Sequence, residues 1–279
     1  MFKVLEPGFF TTIQDAGRYG LRDKGVPWSG YMDEKTGQMV NSLLGNQPGD
    51  AVLEITMTGP RLQFEEPTFI ALGGAEMPAS IDGKHLPNNE IHQVKPGDIL
   101  SFGKLKRGLR IYLAIKGGIQ IPEILGSRSY FKSITSIDSI RSGDEIPYSP
   151  ISDFKPKISS IKTDSLLKKQ HIDVHEGPEF NLLDPVSREQ LFNTAFTIAK
   201  EYNRMAYQLQ EKINSPKISM ITSANLPGTV QLTPSGKLII LMRDGQTTGG
   251  YPRVLQLDEN AISVLAQKKF GDQIYFDRV

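Results

Sequence analysis

At 279 residues the chain is long for one small domain and suits two, at roughly 150 residues each. Hydrophobic residues at 38% and charged residues at 23% exclude wholesale disorder, and 32 Lys plus Arg against 31 Asp plus Glu exclude a basic face for nucleic acid. There is no apolar run of about 18 residues to span a membrane, and zero Cys excludes disulfides, thiolate nucleophiles and Cys metal sites. Met1 to Gly8 lacks the basic start and apolar stretch of a signal peptide, so a soluble, cytoplasmic chain is expected.

In chain order, Asp33 is suited to cap a helix over 34–44, with Met39, Val40, Leu43 and Leu44 on one face and Gly45 as the stop. Short runs rich in Val, Ile, Leu and Phe at 69–72, 99–102 and 109–115 read as strands. Residues 110–115 partly alternate, which predicts one wet face. A stretch rich in Ser, Lys and Pro over 149–170 has no sustained apolar period, so it reads as a linker between a domain at 1–150 and one at 171–279. Asp184 before Pro185 starts a second helix toward Phe192. Residues 195–209 read as a strand, a turn near Asn203, and a second strand. The run 238–242 is apolar throughout and predicts a strand covered on both sides. Asp258 is suited to cap a third helix over 259–267 that buries Ile262, Leu265 and Ala266. Many short strands between Gly and Pro turns make the chain mostly β, a barrel or sandwich architecture.

An internal echo runs through this pattern. Gly97-Asp98-Ile99-Leu100-Ser101-Phe102, Gly143-Asp144-Glu145-Ile146-Pro147-Tyr148 and Gly271-Asp272-Gln273-Ile274-Tyr275-Phe276 share Gly-Asp-x-aliphatic-x-aromatic. Two readings stand: a duplicated β unit, or a turn that commonly precedes strands.

Two glycine-rich segments concentrate polar chemistry. The first, from Thr11 to Gly20 and on to Asp33, sets Gln14, Asp15 and Arg18 among glycines that let backbone amides approach a ligand; Arg18 offers a planar fork for carboxylate or phosphate. The alternative is a turn in which Asp15 and Arg18 pair structurally. The second, Leu241 to Pro252, follows the most apolar strand, and its Gln246, Thr247 and Thr248 make a neutral cradle for an amide or carboxylate; the alternative is a plain hairpin loop. Glu54, in Val52-Leu53-Glu54-Ile55, is either a desolvated acid or on a wet face. Arg204 either reaches an anion or makes an ordinary ion pair. His171 and His175 lack further ligands for a metal, so no metal site is expected. With no Ser beside the few His, no P-loop, no dinucleotide fingerprint and no biotinyl attachment site, the chain carries no covalent cofactor and an enzymatic role would depend on partners.

At these segments the sequence resembles the carboxyltransferase-domain, subunit-2 type family that includes the C subunit of 5-oxoprolinase, KipA-like proteins and the C-terminal part of urea carboxylase. The resemblance spans essentially the whole chain. It is carried by Thr12-Ile13-Gln14-Asp15 with Gly17-Arg18 and Gly20, Gly25-Val26-Pro27 with Ser29-Gly30 and Asp33, and Asn41 with Gly45-Asn46. Glu54, Gly59-Pro60, Arg110 to Ala114 with Gly117-Gly118, and Leu125 to Ser129 continue it. Arg204-Met205, Gly228 with Gln231, and Gln246 to Pro252 complete it.

The resemblance implies two cyclophilin-like β-barrels with short flanking helices. It implies a heteromeric 5-oxoprolinase that cleaves 5-oxo-L-proline to L-glutamate with ATP, in which this chain joins a KipI-like B subunit and an A subunit. ATP, with Mg, is expected as cofactor, at a site on this chain or on a partner. At the family-like positions Arg18 would meet a carboxylate or phosphate, and Gln14, Gln246 and Thr247 would hold the amide, with Thr248 and Arg204 also substrate-binding. Asp15, Asp33 and Glu54 are the general-base candidates. Alternatives are carboxyl transfer to urea or a similar amide with a biotinylated partner, and a non-catalytic KipA-like regulator. The sequence departs from the family at Ala206 and Gln208, at Tyr130, and at Ser223-Ala224-Asn225.

Overall fold

The computed structural model describes residues 1–162, 166–216 and 220–279. Positions 163–165 of the expected linker lie outside the described residues. The chain divides into two compact units: Met1–Arg18 with Ser29–Leu167, and Tyr19–Trp28 with Lys168–Val279. Among the described residues no helix is long and apolar enough to cross a membrane. The mostly β architecture with a few short helices holds.

The first unit carries β1 (Phe2–Glu6), β2 (Phe10–Gln14), α1 (Glu34–Leu43), β3 (Val52–Thr56), β4 (Arg61–Phe64), β5 (Thr68–Glu76), β6 (Ala79–Ile81), β7 (Lys84–Leu86), β8 (Ile91–Val94), β9 (Ile99–Phe102), β10 (Arg107–Ile115) and β11 (Glu145–Ile146). Six strands pair in the order β11-β1-β4-β9-β6-β7 and five in the order β2-β3-β10-β5-β8. Both sheets feed one core. Phe2, Val4, Leu62, Phe64 and Leu100 come from the first, and Ile13, Leu53, Ile55, Leu72, Ile111 and Leu113 from the second. Alternation along each strand puts these side chains on one face.

The opposite face of the five-stranded sheet is covered as well. Val52, Ala71, Tyr112 and Ala114 pack with Val40, Leu43 and Leu44 of α1. Residues 110–115 are therefore buried on both sides, which corrects the expected wet face. The partial alternation misleads because polar Arg110 and Tyr112 point into a buried polar cluster rather than water.

The second unit carries β12 (His171–Glu176), α2 (Pro185–Asn193), β13 (Phe196–Tyr202), β14 (Ala206–Lys212), β15 (Ser223–Ala224), β16 (Thr229–Leu232), β17 (Lys237–Leu241), β18 (Thr248–Gly249), β19 (Arg253–Leu257), α3 (Glu259–Leu265) and β20 (Gln273–Arg278). Seven strands close a barrel in the order β12-β19-β16-β17-β14-β13-β20, with β12 and β20 parallel. Closure removes exposed sheet edges. The β15–β18 ribbon stands apart from the barrel strands. On β17, Leu238 and Ile240 are buried while Lys237 and Ile239 are only partly covered, so this apolar run has one fully buried face rather than two.

Each helix begins at an aspartate whose carboxylate accepts a backbone N–H three residues on: Asp33 from Thr36, Asp184 from Ser187, Asp258 from Ala261. That satisfies donors the first helical turn would otherwise leave orphaned. The Gly-Asp echo is one turn built three times. Asp98, Asp144 and Asp272 each accept, through Oδ2, the N–H of the residue three before (Lys95 at 2.8 Å, Arg141 at 2.7 Å and Lys269 at 2.9 Å). The preceding glycines take φ of 92°, 90° and 87°, a region costly for any residue with a Cβ. Asp50 repeats the side-chain bond, accepting from Gln47 N at 3.0 Å.

Candidate functional site

In the first unit, the end of β2 runs into a polar cluster shut off from solvent. Gln14 is fully buried; its Nε2 donates to Thr12 Oγ1 and to Tyr130 O, both at 3.1 Å, and its Oε1 accepts from Gly30 N at 3.1 Å. Asp15 Oδ1 accepts from Gly17 N at 2.8 Å and from the Ser127 and Ser129 hydroxyls, each at 2.6 Å. Its Oδ2 accepts from Arg128 N at 2.6 Å. Arg18, also fully buried, donates from Nε to Ile124 O at 3.1 Å and from Nη2 to Ser129 O. These three side chains bind the 124–130 loop to β2. Gly30 is obligatory at this crossing: its φ is 81°, and a Cβ there would stand 2.9 Å from the carbonyl oxygens of both Asp15 and Ala16.

The start of α1 is tied to the sheet behind it. Glu54 and Tyr112 sit opposite each other on β3 and β10. Tyr112 donates its hydroxyl to Glu54 Oε2 at 2.8 Å and accepts from Asp33 N at 2.8 Å, while Met32 N donates to the same Glu54 oxygen at 2.8 Å. Arg110 Nε lies 3.5 Å from Glu54 Oε1, and both side chains are buried. Burial, then the Glu54 and Asp33 charges, push the Tyr112 hydroxyl well above its ordinary pKa, so it stays protonated. Asp33 itself caps α1, accepting from Thr36 N at 3.1 Å and Thr36 Oγ1 at 2.7 Å. Glu54 is thus desolvated, and Arg110 and Tyr112 were its unrecognised companions. Tyr130 is buried, and that burial raises its hydroxyl to about 12.

In the second unit, Arg204 and Asp244 form a buried pair, Nε to Oδ2 at 2.8 Å and Nη2 to Oδ1 at 3.3 Å. Arg204 therefore makes an ion pair, although one inside the fold. Gln246 and Thr248 are exposed and Thr247 partly so. Thr247 O accepts from Asn225 N at 2.9 Å, and β18 pairs with β15 at Ser223↔Gly249 and Ala224↔Thr248. A Cβ at Gly249 would stand 2.7 Å from both Asn225 Nδ2 and Gln231 Nε2, and 2.8 Å from Gln246 Nε2. Three amide nitrogens thus converge on one glycine, and any larger residue would displace them. Asn225 is almost wholly buried, and its Nδ2 has no hydrogen-bond partner.

Of the residues the sequence singled out, Gln14, Asp15 and Arg18 meet in one first-unit cluster, with Asp33 and Glu54 in the adjoining one. Arg204, Gln246, Thr247 and Thr248 lie in the second unit. Sequence reasoning passed over Arg22, whose Nη2 donates to Asn225 O, because its partner lies far along the chain. Among the described residues no group of three or more His, Cys, Asp or Glu is placed to hold a metal ion.

The model of the family "Carboxyltransferase domain, subdomain A and B" matches residues 24–278. The chain belongs to this family. As a member, it is 32% identical to the 5-oxoprolinase C subunit of Escherichia coli (strain K12) over 99% of its own length and 90% of that protein. It is 30% identical to urea amidolyase of Lachancea kluyveri over 99% of its length, covering 17% of that longer protein. Its fold matches TTHA0988 with a TM-score of 0.91 at 25% identity, over 99% of this chain and 55% of that one, so this member spans about half of that structure's chain. It also matches the Kluyveromyces lactis urea carboxylase with a TM-score of 0.87 at 30% identity, over 27% of that chain.

Proposed function

We propose that this chain is the C-type component of an ATP-dependent 5-oxoprolinase, and that its second unit holds the lactam. The observation that carries the reading is the convergence of the Asn225, Gln231 and Gln246 amides on Gly249, within a chain that matches a 5-oxoprolinase C subunit over nearly its whole length. Neutral amide donors suit a lactam, which offers a carbonyl acceptor and an N–H donor in one plane. Gln246, Thr247 and Thr248, at or near the surface, contact the ring; Arg204 braces their loop through Asp244.

In this reading Gln14 and Arg18 contribute by holding the first unit's loops. Asp15, Asp33 and Glu54 each already accept two or more donors from this chain, which commits them to holding its loops and the start of α1. The chain's contribution is therefore binding, orientation and exclusion of water rather than proton transfer. ATP with Mg, at a site on a partner, would supply the phosphoryl group that activates the amide oxygen.

The test is reconstitution of the full chain with its A-type and KipI-like B-type partners, supplied with 5-oxo-L-proline and ATP. Glutamate and phosphate released together, and only with this chain present, support the reading. Tight assembly with the KipI-like partner without turnover would replace it with the KipA-like regulator.

The urea amidolyase and urea carboxylase similarities favour a second reading, since urea is also a small planar amide. In that case a native pull-down contains a biotinylated partner, visible on a streptavidin blot, and urea rather than 5-oxo-L-proline is consumed.

A further inference from the structure

Two arginines of the second unit bind successive carbonyls, and only one has its charge matched. Arg253 Nη1 donates to Ala224 O at 2.7 Å, while its Nε and Nη2 grip the two oxygens of Glu179 at 2.9 and 2.8 Å. Arg22 Nη2 donates to Asn225 O, and its guanidinium carbon stands 5.3 Å from the centre of the Trp28 ring. Arg22 Nη1 is buried with no hydrogen-bond partner. Among the described residues no carboxylate makes an ion pair with Arg22. Burial lowers its pKa, the cost of holding a cation away from water.

Beside it, the Gln231 Nε2 to Asn225 Oδ1 bond, at 3.3 Å, orients the Asn225 amide with Nδ2 unpartnered. One residue is therefore flanked by two buried donors lacking acceptors, one of them cationic. Buried donors are almost always satisfied, so this pair marks a place for an acceptor from outside the chain.

We propose that Arg22 Nη1 and Asn225 Nδ2 form a subsite for the carboxylate of a small amide-bearing acid. A carboxylate matches one guanidinium in charge and brings acceptors enough for both donors. A phosphate would bring more charge and more oxygens than these two groups answer. The inference rests on the reading of this unit as the holder of a small amide, and adds the group that anchors its acidic end.

The test uses the full chain, nitrogen-15 labelled, titrated with 5-oxo-L-proline, with its primary carboxamide, and with acetate, while the Asn225 side-chain amide resonance is followed. The expected result is binding of the acid about tenfold tighter than the carboxamide, with the Asn225 resonance shifting only for the acid and acetate. Arg22→Gln should erase that preference. Asn225→Asp, which keeps size and shape but sets a like charge beside the ligand's carboxylate, should weaken the acid about tenfold more than it weakens the carboxamide. It decides the matter if Arg22→Gln, which cuts a tether to Asn225 O, fails to fold. Acetate moving the Asn225 resonance while neither lactam binds would keep the subsite and reject the lactam reading. Equal binding of acid and carboxamide, with acetate silent, would overturn the subsite and keep the lactam. Silence from all three probes would overturn the subsite as well.

Discussion

The first unit's polar clusters and the second unit's amide cluster differ in what stands at their centre: in the first, carboxylates whose acceptor capacity is spent within the chain; in the second, an amide whose Nδ2 donor is unspent. Around Asp15, four donors converge on one carboxylate, and around Glu54 a tyrosine, a backbone amide and an arginine share another. Around Asn225, two buried donors have no acceptor. A carboxylate whose acceptor capacity is taken up by the chain holds the fold in place; a buried amide donor with no acceptor is open to a ligand. A glycine-rich segment dense in polar residues is thus not by that token a binding site. What matters is whether the structure has already used those residues.

Substitutions probe this contrast from both sides. Glu54→Ala, which removes the acceptor shared by Met32 N–H and the Tyr112 hydroxyl and the charge facing Arg110, should destabilise the chain by about 3–5 kcal/mol in chemical denaturation. A loss below about 1 kcal/mol would show that this cluster is not structural. Tyr112→Phe, which removes a single buried hydroxyl from the same cluster, should cost about 1–3 kcal/mol and leave the secondary structure unchanged by circular dichroism.

A smaller effect comes from acid. Hydrogen bonds from Ser187 N–H, then the Asn214 amide and the Ser187 hydroxyl, hold the Asp184 carboxyl below its ordinary pKa, and those from Arg253 do the same for Glu179. Their folded values lie below the unfolded ones, so the stability they contribute is present above about pH 4 and lost as the pH falls through the folded values. Melting temperature should drop on acidification below that point, and Asp184→Asn should flatten the drop. Least of all, Gln246→Ala should change stability by no more than about 0.5 kcal/mol, because the residue is exposed, while weakening ligand binding measured by calorimetry. A large stability loss would move Gln246 to the spent side of the comparison.

Local features were legible in the sequence. The three aspartate caps announce their helices because side-chain capping is a short-range event. The turn at Asn203 is equally local, with Asn203 Oδ1 accepting from Met205 N and Ala206 N between β13 and β14. What covers a strand is not local: nothing within 110–115 signals that α1 lies over its second face. The candidate site was legible in part. Gln14, Asp15 and Arg18 are visibly polar in a glycine-rich frame, but Asp15 meets Ser127 and Ser129 more than a hundred positions later. Arg22 is silent in the sequence because the residue it serves, Asn225, is 203 positions away.

The division of the chain limits how it can be cut. Residues Tyr19–Trp28 belong to the second unit although both flanks belong to the first. Ten residues translated early are completed only when the C-terminal hundred have left the ribosome, so the second unit cannot mature alone. A fragment expressed from Lys168 onward would lack Arg22 and Trp28 together. Any domain dissection or fusion must therefore carry the N-terminal insert in trans, or sacrifice the cation that the second unit borrows from it.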